Sequence, residues 1–381
     1  MMSDNIYKQE NNNISMVKEM TVTPWEVSGE IDYEKLVRQF GTSLIQDKIK
    51  KRLEKSHPLL RRGIYFSHRD FDKWLDSYDK KKKVCILTGR GPSEKMHLGH
   101  LVPFLVAKSL QEEFNCEVFI PISDDEKFYV KKDLTFEKAL EFSKENIIDL
   151  IALGFKPGKT FIFEDFIYTD IYKYAAQTAK KINYSEAKAV FGLKPENNIG
   201  WSFYPAMQAA HILFPQFHKG KQMTVVPVGI DQDPFIRLTR DIAESFGFEK
   251  PAALHAKFIP SLNGGAKMSS SGDYVIFLTD DAKTVEKKIN KYAFSGGRAT
   301  IEEHRKLGGN PDIDVSFQYL KMFFESDDKK LAQIEKDYRS GKLLTGELKK
   351  ILIEKINTFL KEHQKKREEA KKKINEFMIK G

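Results

Sequence analysis

The 381-residue chain is 41% hydrophobic and 31% charged, enough apolar content for a large core under a polar surface. Its net charge of +9 suits a polyanionic partner, although a solvated basic face would give the same number. No apolar run reaches the ~18 residues needed to cross a bilayer. Two cysteines, Cys85 and Cys116, with no Cys-x-x-Cys or Cys/His cluster, argue against a disulfide frame or a zinc site.

Residues 1–20 are polar and Asn-rich and lack the apolar core of a signal peptide. Asp4, Glu10 and Glu19, with no arginine, do not fit an amphipathic organellar leader, so this stretch reads as a disordered tail of a cytoplasmic protein. A first region, 21–79, holds a short extended segment at 22–27, helical stretches, and a basic, aromatic run at 58–71. From residue 80 strands and helices alternate. Residues 84–88, 117–122 and 160–163 read as strands, and 99–114 and 135–153 as helices. A helical stretch at about 168–221 interrupts the alternation, which resumes with a strand at 222–228, a helix at 233–246 and a strand at 253–259. The implied fold is α/β, a Rossmann-like doubly wound parallel sheet split by a helical insertion. Residues 294–381 read as helical throughout, with an apolar stripe at Leu344, Leu348, Ile351, Leu352, Ile356, Phe359 and Leu360. Residues 326–381 carry 16 Lys and Arg against 10 Asp and Glu, so about two thirds of the net charge resides there.

Two runs carry chemistry. The first, residues 89–100, lies between the strand at 84–88 and its helix, where an open parallel sheet binds ligands and a helix N-terminus favours anions. Gly89, Gly91 and Gly99 allow close backbone approach, and His97 and His100 are spaced to face one ligand. As a zinc site the pair lacks a third ligand and the usual i, i+4 spacing. The second run, Lys267, Met268, Ser269, Ser270 and Ser271, follows two glycines and has the makings of a mobile phosphate clamp.

In this order, about 170 residues apart and after the first and last strands of a split sheet, the two runs resemble the signature pair of class I aminoacyl-tRNA synthetases. Residues 88–93, 123–127, 205–210, 229–234, 293–298, 315–319 and 344–350 resemble the tryptophanyl-tRNA synthetases of eukaryotes and archaea. Residues 23–27 resemble the N-terminal hairpin of the eukaryotic enzymes. The resemblance implies tryptophan activation by ATP with Mg2+, then transfer to tRNA(Trp), in a cytoplasmic homodimer with no membrane association. It implies a catalytic domain at 80–293 and an all-α anticodon-binding domain at 294–381.

It also implies residue roles. His97 and His100 would hydrogen-bond the phosphates, with Gly89 and Arg90 beside them and the adenine lying against Gly99. Lys267 would follow the leaving pyrophosphate on a loop shaped by Met268 and Ser269 to Ser271. Ser123, Glu126, Lys127, Gln208 and Gln232 would surround the amino acid. No dedicated metal site is implied. The chain departs from the family at two substrate positions. Leu87 stands where the family has Tyr, and Pro121 where it has Gln or Glu, to meet the indole N–H. Neither side chain accepts a hydrogen bond, and a buried unpaired N–H costs ~1–3 kcal/mol, roughly tenfold to a hundredfold in binding. An impaired or relaxed-specificity relative that keeps tRNA binding is therefore the alternative expectation.

Overall fold

The computed structural model describes residues 20–22, 27–29, 31–268 and 273–379; residues 1–19, Thr23 to Glu26 and Ser269 to Ser271 lie outside the described residues. Strands β1 (Thr21–Val22) and β2 (Val27–Ser28) pair antiparallel on either side of the segment likened to a hairpin.

The core is a seven-stranded sheet of β3 (Ser43–Leu44), β4 (Tyr65–Arg69), β5 (Val84–Leu87), β6 (Glu117–Ile122), β7 (Thr160–Glu164), β8 (Met223–Gly229) and β9 (Ala252–Ala256), in the order β3-β4-β9-β8-β5-β6-β7. The last five in sequence are parallel and lie within three residues of the expected limits. Successive side chains alternate between the two faces, and each face is covered by helices, so the strands are buried on both sides. In β5, Ile86 faces the core shared with the helix Leu101–Phe114, while Cys85 and Leu87 face the insertion. Both cysteines are free and buried.

β4 and β3 extend the sheet as an antiparallel edge that the sequence pattern did not reveal. Long-range polar contacts hold β4 in place. Arg69 donates to both Asp233 oxygens, at 2.6 and 2.7 Å, and Ser67 meets His255 Nδ1 at 3.1 Å.

Helices Ile171–Ala179, Tyr184–Phe191 and Ile199–Lys219 form the insertion between β7 and β8. Asn183 and Asn198 cap the second and third through their side chains. The helix Thr345–Ala370 buries Leu348, Leu352, Ile356 and Leu360 and lies against the helix Phe136–Ala152. At that contact His363 Nε2 is 2.8 Å from Asp149 Oδ1, and Arg367 bonds both Asp149 and Glu145. Beyond it the chain is not helical to its end. Met378 bridges Ile162 of β7, with Ile162 N–H donating to Phe377 O and Ile379 N–H to Ile162 O, both at 2.8 Å. The free edge of β7 supplies the pairing that draws this segment out of helix.

Candidate active site

β5 has β6 on one side and β8 on the other, so the chain reverses its winding between β5 and β8. A crevice off the carboxyl ends of the strands is expected at that point. A cavity of about 470 Å³ occupies it, lined by the end of β5 and the residues after it (Leu87 to Gly91), by Pro121, Ser123, Glu126 and Lys127 at and beyond the end of β6, by the insertion helix and by the end of β8. A second cavity of about 260 Å³ adjoins it and shares Gly99, His100, Gly229, Gln232 and Lys267. A larger hollow, about 830 Å³, opens at the opposite strand ends around Lys83 and Gln222, away from both signature runs. The paired cavities combine the strand ends with convergent polar groups, so they are the candidate site.

After β5 the backbone continues beside β6. Arg90 N–H donates to Pro121 O at 3.0 Å, and Ser123 N–H to Arg90 O at 2.9 Å. Space beside the glycines is tight. A Cβ on Gly91 would lie 2.3 Å from Glu126 Oε2, and one on Gly99 would lie 2.9 Å from Met268 Sδ. That second contact is where the two runs meet across the fold. Gly99 N–H also lies 3.2 Å from Met268 Sδ. The chain beyond the second run clasps the first as well, through Leu98 N–H to Ile276 O and Leu278 N–H to Met96 O.

His97 and His100 stack with ring centroids 3.5 Å apart. His97 Nδ1 accepts Gly99 N–H at 3.1 Å, and His100 Nδ1 accepts His97 N–H at 3.2 Å. Burial, reinforced by Arg90, lowers His97 to about 3 and holds His100 well below the ordinary imidazole range. Both rings are therefore neutral, with the proton on Nε2, and His97 Nε2 is buried without a partner among the described residues. Burial also lowers Arg90 to about 10 against the opposing pull of Glu126 and Glu94. Its Nε donates to Asn146 Oδ1 at 3.1 Å, and Nη2 is unpaired among the described residues. The site thus presents neutral and cationic donors to an anion.

Lys267 reaches Asp231 Oδ2 at 2.7 Å, and Gln232 donates to the same oxygen at 3.1 Å. Lys127 pairs with Glu126 at 2.5 Å. Leu87, Gly89, Arg90, Gly99, His100, Pro121, Ser123, Glu126, Lys127, Gln208, Gln232 and Lys267 line the larger cavity, and His97 and Met268 the smaller. Ser269, Ser270 and Ser271 are outside the described residues. No group of three His, Cys, Asp or Glu is placed to hold a metal among the described residues.

Asp231, Asn146 and the buried set Asp125, Asp165 and His211 had no role legible in the sequence. Asp231 sits in the run 229–234, so proximity to Gln232 was the available signal. For Asp165 and His211, 46 residues apart, no local pattern exists.

A family model described as tRNA synthetases class I (W and Y) matches residues 79–361. The chain is 52% identical to the tryptophan–tRNA ligase of Sulfolobus acidocaldarius over 374 residues, 96% of this chain and 97% of that one. It is 48% identical to that of Pyrococcus furiosus, covering 96% of each. Among solved structures, tryptophanyl-tRNA synthetase from Aeropyrum pernix superposes with a TM-score of 0.84 at 36% identity, covering 91% of this chain and 96% of that one. The Encephalitozoon cuniculi enzyme bound to tryptophan gives 0.82 at 37% identity, covering 91% and 99%.

Proposed function

The chain belongs to the class I tRNA synthetases of the tryptophan and tyrosine branch, and from that premise we propose that it is a tryptophan–tRNA ligase, activating tryptophan with ATP and passing it to tRNA(Trp). The observation that carries this reading is the meeting of the His-x-Gly-His run with the Lys-Met-Ser run at Gly99 and Met268, beside a cavity at the strand ends. The near full-length likeness to tryptophan–tRNA ligases selects the amino acid. The two intact runs favour an active enzyme over an impaired relative.

In the first step the tryptophan carboxylate attacks the α-phosphorus of ATP and pyrophosphate leaves. The nucleophile is already ionised, so the protein supplies alignment and charge stabilisation rather than a base. Nε2–H groups on His97 and His100 and the Arg90 guanidinium donate to phosphoryl oxygens without deprotonation. Gly99, its space limited by Met268, leaves room for the adenine to approach the backbone. Lys267 rests on Asp231 and transfers to the pyrophosphate as negative charge gathers there. ATP enters as its magnesium complex, with the ion on the phosphates. Glu126, Gln208 and Gln232 accept from the substrate ammonium, and Lys127 and Ser123 meet its carboxylate end. In the second step a terminal ribose hydroxyl of the tRNA attacks the aminoacyl carbonyl and AMP leaves.

The helices from residue 294 onward bind the anticodon end, with the basic surplus of residues 326–381 on the RNA backbone. The exposed side chains Phe128, Val130, Phe136, Ile167 and Ile199 are the subunit face of a homodimer. They lie together through the Phe128, Phe136 and Phe166 ring contacts and the Asn198 bond to Tyr129 O. The protein acts in the cytoplasm; no helix among the described residues is long and apolar enough to cross a membrane. ATP–pyrophosphate exchange with each of the twenty amino acids tests the reading. Exchange with tryptophan is expected; exchange with tyrosine alone, or with none, contradicts it.

A further inference from the structure

Leu87 and Pro121 line the amino-acid cavity and offer no acceptor to an indole N–H. A different wall carries one. Tyr204, Gln208, His211 and Ile212 succeed one another at helical spacing along the cavity-lining face of the helix Ile199–Lys219. The Tyr204 hydroxyl is engaged with Ser123. His211, 4% exposed, makes a single side-chain hydrogen bond among the described residues, between Nε2 and Asp165 Oδ1 at 2.8 Å, and its ring lines the cavity. It stands three residues, a rise of about 4.5 Å, beyond Gln208 on the same helix face, a span comparable with the reach from a substrate ammonium to its side chain.

The state of that ring is set from behind. Asp165 and Asp125 are buried against each other, and burial holds both carboxyls well above the usual carboxylate range. Asp125 Oδ1 and Asp165 Oδ2 have no other partner among the described residues, and one proton shared between the two carboxyls pairs both atoms and leaves the pair singly charged. Asp125 Oδ2 accepts from Tyr172 at 3.4 Å, which leaves Oδ1 to carry that proton toward Asp165. Asp165 is then the acceptor for Asp125 and for His211 Nε2–H. Burial keeps His211 neutral by lowering it to about 4. A neutral ring with its proton on Nε2 has a lone pair on Nδ1.

We infer that His211 accepts the indole N–H of the substrate through Nδ1 and determines specificity in this pocket, with Asp165 and Asp125 as positioning residues that hold its tautomer. The inference rests on the tryptophan reading above. It replaces the acceptors missing at positions 87 and 121 with one presented by the insertion helix.

The test compares kcat/KM in pyrophosphate exchange for tryptophan and for L-β-(benzothiophen-3-yl)alanine, which keeps the ring shape and lacks the N–H. The wild-type chain is expected to prefer tryptophan by about tenfold to a hundredfold, the loss that follows when a buried acceptor is left unpaired. In His211→Phe the preference falls to within about twofold, chiefly through a raised KM for tryptophan, while His211→Gln, which keeps an acceptor, retains part of it. A merely structural role would lower both substrates together and leave the ratio unchanged, and that result overturns the inference. A wild-type preference under twofold overturns it with no variant needed. Absence of wild-type exchange with tryptophan removes the tryptophan reading itself, and the inference with it.

Discussion

At His97, Nδ1 already accepts the Gly99 N–H, so a proton placed there would break that bond and bring charge into a buried site. The folded pKa lies near 3, below the ordinary imidazole value, so folding favours the neutral form. The stabilisation from keeping this ring neutral is complete above pH 6.5 and is lost as pH falls from there toward 3. Nitrogen-15 NMR of the histidine rings should therefore find His97 neutral and protonated on Nε2 at pH 5.5; titration near 6.5 would contradict the assigned donor role. The residues of the two signature runs were legible as chemistry because the runs occur together, in order and about 170 residues apart, after the first and last strands of a split sheet; either run alone would read as a helix cap or an ordinary loop. Asp165 and His211 were not legible, since their pairing exists only once β7 and the insertion helix pack together.

Among the elements, the five parallel strands could be read from sequence because each is a short apolar run buried on both faces. β4 escaped notice for a physical reason. Tyr65, Phe66, Ser67, His68 and Arg69 show no alternation of apolar and polar residues, and the side chains that tie the strand to the rest of the sheet, His255 for Ser67 and Asp233 for Arg69, lie more than 160 residues away. The same limit applies to the C-terminal helix, whose apolar stripe was visible while its polar anchor was not. Arg367, with a side chain 9% exposed, meets Asp149, which is 3% exposed. Arg367→Leu leaves Asp149 with only His363 among the described residues and should destabilise the fold by ~3–5 kcal/mol, as removal of one partner of a buried pair does. The double variant Arg367→Leu with Asp149→Leu should recover part of that loss. Thermal unfolding of the two variants checks this, and a double variant no more stable than the single one would contradict it.

For the whole molecule, the apolar side chains Phe128, Val130, Phe136, Ile167 and Ile199 remain exposed beside the elements that form the amino-acid cavity. A charge at Ile199, which is 87% exposed, costs the isolated chain little but cannot be buried unpaired in a subunit contact. Sedimentation should find the wild type dimeric and Ile199→Asp shifted toward monomer at micromolar concentration; equal behaviour would place the contact elsewhere.

The complete reaction is tested most directly by charging. The protein is incubated with ATP, Mg2+, total tRNA and radiolabelled tryptophan or tyrosine, and label is counted in acid-precipitable tRNA. Tryptophan is expected to be incorporated, into tRNA(Trp), and tyrosine is not. Incorporation of tyrosine in its place, or activation of tryptophan without transfer to tRNA, would contradict that expectation.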